Sequence, residues 1–136
     1  YIDAEGITLL IKGKISKNLE ELSLVANKLG DQGAKVIADT PNLKKLKILN
    51  LSQNMIGDEG AEAIGCSTHL CGLTHLYIGR NSFSPKGAEA IHQTKTLTQL
   101  KTLVLQEGVE TTPGLVNYSR PELLRPDNPD LVNPEV

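Results

Sequence analysis

Four residues with metal-binding chemistry, Cys66, His69, Cys71 and His75, fall within ten positions of one another. Zinc would need their donors to converge tetrahedrally at about 2.0–2.3 Å. The surrounding pattern argues against convergence. His75 belongs to a predicted strand and points outward, Cys66 falls near the end of a predicted helix on the far side of the layer, and Leu70 and Leu73 between them are predicted core. No metal site is expected. The histidines His69, His75 and His92 lack a Ser, Cys or carboxylate spaced to set a nucleophile beside a base. Asp58 and Glu59 are adjacent at a predicted helix start, where negative charge complements the helix dipole, so they read as helix-start residues and not as an acid–base pair. Neither G-x-x-x-x-G-K-[ST] nor G-x-G-x-x-G occurs, and no cofactor or small-molecule substrate is expected. What remains is the chemistry of recognition. Tyr77 and Arg80 are of the types that most often anchor protein interfaces.

The elements that must position these residues are written into a repeat. Leu22, Leu49, Leu76 and Leu103 are 27 residues apart, as are Asn27, Asn54 and Asn81, and Gly33, Gly60 and Gly87, each followed by Ala. A period of this length marks a solenoid, in which each unit buries its apolar face against the next. The first part of each unit alternates apolar and polar residues, a strand signal. Strands recurring in register with a helix between them must be parallel neighbours, which aligns Leu22 to Leu24 with Leu49 to Leu51, Leu76 to Ile78 and Leu103 to Leu105. After each Asn the period changes to that of a helix. Its entrance is marked by Gly30-Asp31, Gly57-Asp58 and Ser84-Pro85, residues suited to an N-cap and a first turn. Glycine inside that turn is unfavourable by about 1 kcal/mol, and its recurrence implies close approach between adjacent coils. Asn27, Asn54 and Asn81 read as a structural ladder, their amides serving the backbone where strand bends towards helix.

The stretches L-x-x-L-x-L-x-x-N and I-G-D-E-G-A-E-A-I resemble leucine-rich repeats of the ribonuclease-inhibitor type, found also in nucleotide-binding immune receptors, Ran GTPase activators and bacterial effectors. The resemblance implies an α/β leucine-rich repeat solenoid: a short, curved, right-handed βα superhelix with parallel strands on the concave face and helices on the convex face. It also implies that the concave sheet is the face used for partners. Residues 1–18 are expected to form an N-terminal half-repeat or capping helix starting near Asp3, with Ile7, Leu10 and Ile11 turned inward. Residues 19–99 form three full repeats and 100–118 a degenerate fourth. Residues 119–136, with Pro121, Pro126, Pro129 and Pro134, are expected to form a tail that folds back through Leu123, Leu124, Leu131 and Val132 or links to another domain.

Composition narrows the function. A net charge of −2, one Phe and no Trp give neither a basic footprint nor a stacking platform for nucleic acid. No apolar run approaches the length of a membrane span. Two cysteines do not make a disulfide framework and point to a reducing, cytoplasmic compartment, or to delivery into a host cell for an effector. No signal peptide is visible, and the absence of an initial Met points to a processed protein or a fragment. The outward strand set runs Glu21, Ser23, Val25 and Ala26; Ile48, Asn50, Ser52 and Gln53; His75, Tyr77, Gly79 and Arg80; Thr102, Val104, Gln106 and Glu107. From it, Ile48, Asn50, Gln53, His75, Tyr77, Arg80, Val104 and Glu107 are the expected contact residues. The expectation is a non-enzymatic module that binds a protein partner. The resemblance also admits a targeting arm of a larger effector or immune-receptor-like regulator, or a GTPase activator, for which Arg80 is the only outward strand arginine.

Overall fold

A leucine every 27 residues can be buried repeatedly only if the chain returns to the same place after each period, and it does. The computed structural model describes residues 1–104. In chain order these form α1 (Ala4–Ile11), a 3-10 turn (Lys14–Asn18), β1 (Glu21–Ser23), α2 (Gly30–Asp39), a second 3-10 turn (Pro41–Leu43), β2 (Ile48–Asn50), α3 (Asp58–Gly65), β3 (His75–Tyr77), α4 (Pro85–His92) and β4 (Thr102–Val104). The four strands make one parallel sheet in the order β1-β2-β3-β4, with Leu22, Leu49, Leu76 and Leu103 opposite one another. The strands start one residue earlier than the alternation suggested, but the pairing register is the expected one. Backbone bonds carry the ladder past the strands, as from Leu24 N–H to Asn50 O at 2.9 Å and from Gln53 N–H to Gly79 O at 3.1 Å. The helix and tail expected beyond Val104, and Gln106 and Glu107, lie outside the described residues.

Between sheet and helices runs one core built of repeated rows. Leu49, Leu76, Leu46, Leu73, Leu43, Leu70, Ile37, Ile64 and Ile91 are all fully enclosed. Burying each such side chain contributes about 1.5–3 kcal/mol, which is why the period is held so strictly. Asp3 accepts from Gly6 N–H at 2.9 Å and starts α1 as expected, with Ile7 and Ile11 buried. Leu10 does not join them. It is 44% exposed, because none of the described elements packs against the outer side of α1, whereas its counterparts Ile37, Ile64 and Ile91 each sit under a preceding coil.

The helix ends are satisfied between coils as well as within them. Asp31, expected at the entrance of its own helix, instead accepts from Gly57 N–H (2.7 Å) and Gly60 N–H (2.8 Å) at the start of α3. Asp58 does the same for α4, accepting from Ser84 N–H (2.8 Å), Ser84 Oγ (2.8 Å) and Gly87 N–H (3.0 Å). A Cβ on Gly60 would lie 2.7 Å from Asp31 Oδ1, and one on Gly87 would lie 2.5 Å from Asp58 Oδ1, so glycine is the residue that admits the neighbour's carboxylate. At the other end, carbonyls that a helix leaves without a partner accept from the following coil. Ile11 O takes Asn42 Nδ2 at 2.7 Å, and Ala38 O takes Ser67 Oγ at 2.6 Å.

Candidate functional site

Side chains alternate across a strand, so burying Leu49, Leu76 and Leu103 turns their neighbours to the opposite face. Two rows cross the sheet there: Glu21, Ile48, His75 and Thr102 in one, Ser23, Asn50, Tyr77 and Val104 in the other. Directly opposed side chains on neighbouring strands stand about 5 Å apart at Cβ. The sheet therefore brings Ile48 against His75, and Tyr77 between Asn50 and Val104, all half-buried. His75 and Tyr77 add a contact along one strand, with ring centroids 6.5 Å apart and planes 22° from parallel.

The His75 ring is oriented by a chain of hydrogen bonds. Thr74 Oγ1 donates to Lys47 O at 3.0 Å and lies 2.8 Å from His75 Nδ1. The Thr74 hydroxyl thus bridges the Lys47 carbonyl and the imidazole. Thr74 was missed from sequence because it precedes the strand, where alternation gives no signal.

Gln53 and Arg80 sit further along, both exposed and both with left-handed backbones (φ 58° and 54°), as has Ala26 one period earlier (φ 60°). Ser52 and Gly79, expected outward, are buried instead, because the chain has already begun to bend under the sheet there. Asn50 Oδ1 accepts from Ser52 N–H at 3.1 Å, which draws that side chain towards its own turn.

Each asparagine after a strand bonds both its own coil and a neighbour. Asn54 Nδ2 donates to Leu24 O (2.8 Å), Ser52 O (3.0 Å) and Leu51 O (3.1 Å). Asn81 Nδ2 reaches Ile78 O (2.8 Å) and Leu51 O (3.0 Å), while its Oδ1 accepts from Asn54 N–H (2.8 Å) and Ile56 N–H (3.0 Å). Asn27 Oδ1 accepts from Ile2 N–H at 2.7 Å, and its Nδ2 donates to Leu24 O at 2.9 Å.

Cys66 and Cys71 are exposed free thiols, and among the described residues no three His, Cys, Asp or Glu side chains converge to hold a metal ion. No helix among the described residues is long and apolar enough to cross a membrane. The Leucine Rich repeat family profile matches residues 16–38, 42–65 and 69–91, together half of the chain. With strands and helices alternating around one leucine core in a single parallel sheet, the chain belongs to the leucine-rich repeat family. No curated protein gives a significant match.

Proposed function

We propose that the chain is a non-catalytic recognition module that binds a protein partner through its sheet face, using Ile48, Asn50, Gln53, His75, Tyr77, Arg80 and Val104. The observation that carries this reading is the half-buried row Asn50–Tyr77–Val104 beside Ile48–His75 on an uninterrupted four-stranded sheet. Such a surface offers apolar and aromatic area on a rigid backbone, with the His75 ring on it and the Gln53 and Arg80 side chains at its margin. The few hot-spot residues that cost about 2 kcal/mol or more when truncated at protein interfaces are enriched in Tyr and Arg. Membership of a repeat family that generally serves as a scaffold supports the same reading. Three-residue strands alternating with helices of eight to ten residues support assignment to the ribonuclease-inhibitor-like branch. Two exposed free thiols suit a reducing, cytoplasmic setting.

The test is affinity capture with the wild-type chain, a Tyr77→Ala/Arg80→Ala variant and a helix-side Glu62→Ala/Gln93→Ala variant. A partner should be retained by the wild type and by the helix-side variant, and its affinity should fall at least about tenfold in the sheet-face variant. Retention by the sheet-face variant with loss in the helix-side variant would reverse the assignment.

A further inference from the structure

We propose that the edge where the chain enters the sheet, around Lys44, Lys45 and Lys47, is a separate contact surface that takes an acidic segment of a partner protein. Leu43 and Leu46 are fully buried in the core, which leaves the three lysines between and beside them facing water. With Asn18 and Glu20 of the preceding coil they line a shallow depression of about 440 Å³. Three ammonium groups thus face one carboxylate. Lys45 Nζ donates to Asn18 Oδ1 at 3.3 Å across the coils, and none of the three lysines forms an ion pair among the described residues.

The backbone beneath is held firmly. Lys47 O accepts from Thr74 N–H (2.7 Å), Thr74 Oγ1 (3.0 Å) and His75 N–H (3.0 Å), so the charges stand on a rigid base. A concave site with an excess of one charge sign concentrates opposite charge and speeds encounter.

The whole-chain charge of −2 hides this surface. Residues 105–136 carry six acidic and two basic side chains, whereas residues 1–104 carry ten acidic and twelve basic. The occupant is acidic peptide and not nucleic acid, because the depression holds neither an Arg fork for phosphate nor an aromatic ring for a base. Lys47 directly precedes Ile48, so a partner on the sheet face could extend such a segment over this edge. The inference stands without that sheet-face reading, since the peptide is assayed directly.

The full chain is titrated into a fluorescein-labelled oligoglutamate peptide, followed by anisotropy at low and near-physiological salt. Binding is expected at low salt and should weaken as salt rises. Lys44→Gln/Lys45→Gln/Lys47→Gln should weaken it about tenfold, while Lys28→Gln/Lys95→Gln should leave it unchanged. All five lysines are exposed, and far-ultraviolet circular dichroism checks that each variant keeps its fold. Absence of wild-type binding, or equal losses in the two variants, overturns the proposal. So does tighter binding of a single-stranded oligonucleotide through the same lysines. A tenfold gain on neutralising Glu122, Asp127 and Asp130 in the full chain would also overturn it, because it would assign the depression to the chain's own acidic residues.

Discussion

Asn54 is the residue on which the bend after β2 depends. Its side chain is wholly enclosed and its amide serves carbonyls of two coils, so no water can replace it without opening the stack. Asn54→Ala is expected to destabilise the fold by roughly 1–3 kcal/mol, the usual consequence of orphaned buried carbonyls. Urea unfolding measures this, and an unchanged midpoint would remove the residue from that role. The spacing of Asn27, Asn54 and Asn81 was legible in the sequence. The left-handed conformation just before each was not, because Ala26, Gln53 and Arg80 are not among the residue types that usually signal it. Since Ala26 adopts it with no functional group to display, the strain belongs to the turn and not to recognition.

Among the elements, α3 shows why a helix can favour its poorest former. In an isolated helix Gly→Ala is stabilising by about 1 kcal/mol. At Gly60 the new methyl would meet Asp31 Oδ1 and Ile56 Cγ2 at 2.7 Å and Ala34 Cβ at 3.0 Å. Gly60→Ala should therefore destabilise by roughly 1–3 kcal/mol through overpacking, seen as a lower melting temperature. A raised melting temperature would mean that α2 and α3 can move apart freely. Close approach could be read from the glycine period, but its partner could not. Local capping rules assign a helix-start Asp to its own helix, whereas Asp31 and Asp58 each serve the next one, a relation visible only once the coils are stacked.

For the whole molecule, coil-to-coil bonds of this kind tie stability to pH. The Ser84 hydroxyl bonded to Asp58, then the backbone N–H groups of Ser84 and Gly87 and the charge of Lys86, hold its carboxyl below the ordinary value of 3.8 against partial burial. A carboxyl depressed in the folded state stabilises above its unfolded pKa, and that contribution is lost as pH falls through the folded one. Wild type should lose stability more steeply than Asp58→Asn below about pH 4, with a constant gap above about pH 5. Thermal melts of both proteins across that range check this, and parallel curves would refute it. Sheet order, strand register and the leucine rows were all readable from one period, since a single geometric constraint fixes them together. The lysine edge was not, because net charge averages over the chain what the fold places at one rim. Leu10 was misplaced for a related reason: its periodic equivalents are buried by a neighbour that α1 lacks among the described residues.

The exchange of helix-end bonds between coils makes copy number a quantity that can change. Asp31 stands one period before Asp58, and Ser67 one period before Thr94, whose hydroxyl also donates to a helix-end carbonyl of the coil before it. Loss or duplication of the 27-residue block from Asp31 to Gly57 would leave each helix-start donor facing an equivalent carboxylate. A gene for such a chain can lengthen or shorten in whole units, changing the breadth of its sheet while the joints stay the same.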